Sequence, residues 1–404
     1  MCCGYVSATK AQPGWTRRGL LLCMLLILAG CVATQPPETA TPPATPPTAR
    51  EPVAEPVPAP APPPEVPDRS SQRLRIAAVG DMMLGTDYPE NHLPDDDGVS
   101  FLSAVTPYLS GADITFGNLE GVLLDGGEPA KQCRNPNACY LFRSPSRYVN
   151  HYKDAGFDVV SLANNHARDF GEAGRLASMR ALAGVGLHHS GLRGDFATMT
   201  VDDLKVAVLA FAVTVNSNLL HDYELAQATV ERHASNHDIV IVSFHGGAEG
   251  RDVTRLPFAE EEYFGEPRGD VVRFSRMVVD AGADLVLGHG PHVIRAMENY
   301  RNRLIAYSLG NFATYYGISV DGAKGIAPIL EVTLNGDGEF LGGQIHSTIQ
   351  RRPAGPSIDP DKRALRMLRN LSAQDFDTPG IQFNADGSIA PVARKLTIHA
   401  PPGR

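Results

Sequence analysis

Seven apolar runs of strand length recur after residue 73, and this recurrence constrains the fold more than any other feature of the chain. They are Leu74 to Val79, Asp113 to Phe116, Val159 to Leu162, Val206 to Phe211, Ile239 to Phe244, Asp284 to Leu287 and Leu304 to Tyr307. Most are near-continuous in Val, Ile, Leu and Ala, as strands buried on both faces require. Between several of them, Ser146 to Ala155, Gly174 to Ala183, Leu225 to Ala234 and Val271 to Asp280 carry helical periodicity. Gly111, Gly156, Asn236 and Gly282 then stop a helix just before the next strand. Alternating strands and helices predict an α/β layered fold with a mainly parallel sheet.

Five of these strands run into residues of one chemical kind. Their carboxyl ends lead to Gly80-Asp81, Gly117-Asn118-Leu119-Glu120-Gly121, Asn164-Asn165-His166, His245-Gly246-Gly247 and Gly288-His289-Gly290-Pro291-His292. The carboxyl ends of strands are the edge where open α/β sheets bind ligands. One such terminus alone reads as a turn or a helix cap. Five together, all oxygen or imidazole donors without a thiolate, point to a centre for one or two divalent ions of Mn, Zn or Fe.

The net charge of −9 and a 7% aromatic content with one Trp argue against a nucleic-acid partner. An anionic partner must instead be gripped locally, by a metal or by a few arginines. Arg251, Arg255 and Arg295 lie just past the ligand motifs and are candidates to hold an anionic polymer, although each alone also reads as an ordinary ion pair. Asp95-Asp96-Asp97 and Glu260-Glu261-Glu262 read as solvated charges.

Arg17 and Arg18 precede the apolar run Leu20 to Ala29, a signal-peptide core too short for a bilayer of about 30 Å. The run ends in Leu28-Ala29-Gly30-Cys31, which resembles a bacterial lipobox. That resemblance implies a leader over 1–30, lipidation of Cys31 and a cell-envelope location. Val32 after the cysteine favours the outer membrane, facing the periplasm, in a Gram-negative cell. Residues 31–73 are rich in Pro, Ala and Thr and predict a disordered, semi-rigid spacer. The folded domain is expected over 74–350. Residues 351–404 are expected to be an accessory segment, with a short helix over Arg363 to Leu371 and two weak strands. Cys133 and Cys139, flanking a turn-rich loop, read as a disulfide in an exported chain.

The motifs Val79-Gly80-Asp81, Gly117-Asn118-Leu119-Glu120, Ala163-Asn164-Asn165-His166 and Tyr307-Ser308-Leu309-Gly310-Asn311-Phe312 together resemble the CapA family of poly-γ-glutamate capsule biosynthesis proteins. The likeness spans about Arg75 to Gln350. It implies a calcineurin-like metallophosphoesterase sandwich, two sheets flanked by helices. Carried over, Asp81 is the first metal ligand, Glu120 stands at a bridging carboxylate, and Asn165 ligates through its amide oxygen. His245, His289 and His292 complete the metal set, and His166 is the general acid or substrate-oxygen stabiliser. Asn118, Asn164, Asn311, Arg251 and Arg295 are expected against the substrate. Two departures stand out. Met83 replaces a usual His, which puts a second ion in doubt, and Gly246 and Gly290 replace an aromatic residue and an imidazole. The function implied is an exported lipoprotein of capsule or poly-γ-glutamate biosynthesis, acting as a metal-dependent hydrolase on an anionic polymer or phosphoester, with membrane synthase subunits as partners. The alternative is a non-catalytic polymer-binding or scaffold subunit of a capsule assembly and export complex.

Overall fold

The computed structural model describes residues 68–131 and 139–392. The leader, Cys31, the spacer up to residue 67 and Cys133 lie outside the described residues. Two mixed sheets stack on each other with helices on their outer faces. One has ten strands, and its main path includes Phe340–Gln350, Ile326–Asn335, Arg73–Met83, Ile114–Leu119, Val159–Ser161 and His188–Ser190 in that order. The last four pair in parallel, whereas Ile326–Asn335 is antiparallel to both of its neighbours. The seven-stranded sheet runs Met297–Tyr300, Arg303–Ala306, Leu285–His289, Ile239–His245, Leu204–Ala212 and Ala197–Val201. The strands that end in candidate ligands are the parallel ones, and antiparallel hairpins extend both sheets beyond them.

The strand Arg73–Met83 shows why its sequence lacks polar alternation. Ile76 and Ala78 enter the core shared with the second sheet, while Ala77 and Val79 face the opposite cluster with Tyr148, Tyr152 and Leu182. Both faces are buried, so both must be apolar. The helix Val271–Asp280 buries Val271, Val272, Phe274, Ser275, Val278 and Val279, a helical spacing, and the Asp270 carboxylate accepts the Arg273 N–H to cap it. Among the described residues no helix is long and apolar enough to cross a membrane.

The C-terminal segment is more than an edge accessory. Helix Arg363–Asp375 runs four residues past the expected end, and its Ala364, Leu365, Leu368 and Leu371 enter the main core with Phe376. Arg255, a candidate polymer grip, instead pairs with Asp375 at the end of this helix.

Gly80 has a steric reason. A Cβ there would lie 1.8 Å from the Gly310 carbonyl oxygen and 2.9 Å from that of Leu309, so two backbones meet where a side chain cannot fit. Gly80→Ala should therefore part Arg73–Met83 from Asn311–Thr314 and cost about 1–3 kcal/mol. The expected result is a lower denaturant midpoint at unchanged m-value. An unchanged midpoint would refute this close approach.

Candidate metal centre

Parallel pairing brings the ligand-bearing strand ends into one register. Asp81 pairs with Asn118 on one side and Asn311 on the other, and His245 pairs with His289 in the second sheet. The loop after His289 then returns His292, held at φ 60°, to the first sheet. There Asp81, Glu120 and His292, all buried, place one ligand atom each within 4.8 Å of one another.

Each member is held by a defined neighbour. His292 Nδ1 donates to Asp81 Oδ2 and to Asn311 Oδ1, both at 2.9 Å. The Asn311 amide is oriented by its Nδ2, which donates to the carbonyls of Ser319 and Lys324. Asn118 Nδ2 donates to Asp81 Oδ1 at 2.9 Å, and Asn164 Nδ2 donates to Asn118 Oδ1 at 3.0 Å. Asn164 also accepts the His166 N–H through its own Oδ1. Asn118, Asn164 and Asn311 are thus buried braces whose amides are engaged within the protein. His292 Nε2 is left facing Glu120 Oε1 at 3.7 Å and Glu249 Oε2 at 3.8 Å.

The electrostatics are those of charges crowded away from water. Burial works against the Asp81 charge, but the His292 hydrogen bond and nearby imidazoles outweigh it and hold the carboxyl at about 2. Burial first, then the Asp81 charge, pushes Glu120 up to about 7. Burial also opposes protonation of His292, yet Glu120, Asp81 and Glu249 raise it to about 10. His245 goes the other way: burial, then the Arg268 charge, keep it neutral.

The residues present fit a divalent ion. Among the described residues Glu120 Oε1, Asn165 Oδ1 and both nitrogens of His245 are buried without a hydrogen-bond partner. A buried acceptor left unpaired is costly, and a cation would satisfy the Glu120 oxygen and the unprotonated nitrogen of His245. His245 Nε2 stands 3.6 Å from Glu120 Oε1, beside the group although outside it. His289 is engaged elsewhere. Its Nε2 lies 3.2 Å from the Val79 carbonyl of the other sheet and its Nδ1 3.5 Å from Ser243 Oγ of its own, so both ring nitrogens already have partners. Met83 packs with Phe142 and Ile318, an apolar cluster in place of an imidazole.

His166 is buried beside the centre. Its Nδ1 lies 2.8 Å from Asp169 Oδ2, and Lys131 Nζ is 3.1 Å from Asp169 Oδ1. The carboxylate fixes the tautomer and leaves Nε2 for proton exchange. Sequence reading missed Asp169 although it stands three residues after His166, a helical-turn spacing. It also missed Glu249 and Arg268. Arg268 is fully buried, donates to the Gly247 carbonyl and sits 3.2 Å from Glu249. Neither had a spacing signal, Glu249 standing in a loop and Arg268 in the short strand Glu266–Gly269.

The expected arginine grips fare differently. Arg295 is fully buried, with both terminal nitrogens 2.7 Å from Glu261, so it is a structural pair. Glu261, read as solvated, is its buried partner. Arg251 is exposed in the loop after Glu249.

A family model described as bacterial capsule synthesis protein PGA_cap matches residues 75–316, more than half of the chain. The capsule biosynthesis protein CapA of Bacillus anthracis is 28% identical over 270 residues, covering 61% of each chain. The PGA biosynthesis protein CapA of Bacillus subtilis is 28% identical over 260 residues, covering 60% of this chain and 64% of that one. The matches thus span less than two thirds of these relatives. Among solved structures, a hypothetical protein from Thermus thermophilus gives a TM-score of 0.42 at 16% identity, covering 69% of this chain and all of the other.

Proposed function

We propose, because this chain belongs to the bacterial capsule synthesis protein family PGA_cap, that it works in the cell envelope as a metal-dependent hydrolase of the metallophosphoesterase type on an anionic polymer or phosphoester. The observation that carries this reading is the buried Asp81–Glu120–His292 group with the His166–Asp169 pair beside it. A bound Mn, Zn or Fe ion would supply Lewis acidity towards a phosphoryl or carbonyl oxygen. The chain's own residues do the rest. Asp81, Glu120 and His292 hold the ion, with His245 and Asn165 as further donors, while Asn118 and Asn311 keep the first ligands in place. His166 gives a proton from Nε2 to the leaving oxygen, and Asp169 holds the ring for that transfer.

Met83 supports a second reading, because the apolar packing there removes a ligand position. On that reading the domain binds a polymer such as poly-γ-glutamate for a membrane synthase without cleaving it. Metal reconstitution of the purified protein beside a generic phosphodiester assay separates the two. Turnover that tracks metal content supports the hydrolase. Full metal content without turnover moves the function to polymer binding, and failure to take up metal overturns the hydrolase and leaves only the binding or scaffold reading.

Export through the leader, lipidation of Cys31 and a Cys133–Cys139 disulfide belong to the same proposal. Cys31→Ser should abolish fatty-acid labelling and release the domain from the membrane fraction. Equal labelling of wild type and variant would refute the lipid anchor.

A further inference from the structure

A cleft of about 340 Å³ opens beside the candidate centre, lined in part by Lys131, Asn165, Arg168, Arg175, Thr214 and Ser217. Three of these are cations, and no carboxylate is among its described lining residues. The acids that pair with the cations are set back from it. Asp169 is wholly buried against Lys131, and Glu172 takes the Arg175 guanidinium, which also donates to the Asn216 carbonyl.

Two donors in this cleft make no hydrogen bond. Arg168 Nε is buried and lies 3.4 Å from Glu172 Oε2 without forming a hydrogen bond. Thr214 Oγ1, just past the end of strand Leu204–Ala212, is also buried and unpaired. Buried donors are nearly always satisfied, so two on one cation-lined cavity mark a place for an acceptor. The cleft also communicates with the chemistry. Asn164, which lines the cleft, holds Asn118 at the centre, and Lys131 Nζ lies 3.2 Å from the Asn165 carbonyl and 3.4 Å from His166 Nδ1.

We propose that this cleft is an oxyanion subsite. It binds a carboxylate or phosphoryl group of the substrate next to the bond acted on, with Arg168 Nε and Thr214 Oγ1 as donors and Lys131 adding charge. This rests on the reading of the substrate as anionic. The subsite explains how a chain of net charge −9 attracts such a substrate at one spot.

The test is calorimetric titration of the full chain, metal-free, with inorganic phosphate and with a γ-linked glutamate trimer. Wild type should bind at least one, and which one binds tells the phosphoryl source from the carboxylate. Thr214→Val keeps the side-chain shape and Arg168→Gln keeps much of its length, so both should fold. Each should weaken binding about tenfold while leaving metal uptake unchanged. No binding of either probe by wild type, or wild-type affinity in both variants, would overturn the proposal. Anion binding that is intact in a protein unable to take up metal would uphold the subsite and remove the hydrolase reading alone.

Discussion

Asp81→Asn should still fold yet lose the ion, with divalent metal affinity falling by more than about a hundredfold. The two halves of this result have separate causes. In the metal-free protein Asp81 is one of two buried carboxyls, and its charge helps push Glu120 up to about 7. Asparagine removes that repulsion while the Asn118 amide still finds an oxygen to donate to, and the His292 Nδ1–H loses the Asp81 carboxylate but keeps Asn311 Oδ1, so the metal-free variant should still fold at a loss of about 1–3 kcal/mol. Metal binding suffers more. The amide brings no charge, and its NH2 group opposes the His292 Nδ1–H unless the ring changes tautomer. The readout is the melting temperature at saturating Mn or Zn, because an ion bound only to the native state stabilises it by mass action. Wild type should gain and the variant should not. Equal gains would remove Asp81 from the centre.

The second large effect is on turnover. His166→Ala should keep the ion and lose about 10²–10⁴-fold in phosphodiester hydrolysis, the usual contribution of a positioned general acid. His166 Nδ1 is engaged with Asp169, and the ring stands outside the Asp81–Glu120–His292 group, so its loss removes no ligand atom from that group. Asp169→Asn should cost less, because it misorients the ring rather than deleting it. Its distinguishing sign is a shifted pH–rate profile with unchanged metal content. Loss of metal in His166→Ala would make the ring a ligand instead.

Much of the site was legible because parallel strands impose it. Leu74 to Val79 and Asp113 to Phe116 are neighbouring strand cores of one sheet and Ile239 to Phe244 belongs to the other, and the residues just past all three meet at one end of the stacked sheets. Asp81, Glu120 and His245 stand just past those cores. Which imidazole faces the ligands was not legible. His289 and His292 flank the same Gly290-Pro291 turn, yet one meets Val79 across the sheets and Ser243 within its own while the other meets Asp81. That choice depends on a contact across 211 residues of sequence.

The asparagines were misjudged for a related reason. Asn118, Asn164 and Asn311 sit in the motifs that carry the chemistry, but their amides close on one another's neighbours. Only the folded core shows that no donor is spare. Arg295, a candidate polymer grip that also reads as an ordinary ion pair, could not be assigned its partner, because Glu261 lay in an acidic run that resembled a solvated face. The hairpin Ile326–Asn335 and Phe340–Gln350 did carry a local sign, Asn335-Gly336-Asp337-Gly338 between two runs. It was obscured because the second strand, with Gly342, Gly343, Gln344 and His346, is only partly buried and weak in apolar residues.

The most direct measurement is anomalous diffraction from crystals of the metal-loaded protein, collected at the absorption edge of the ion supplied. A peak about 2.0–2.3 Å from a carboxylate oxygen of Asp81, an oxygen of Glu120 and a nitrogen of His292 is the predicted result. A peak elsewhere in the molecule, or none from protein saturated with metal, would contradict the account.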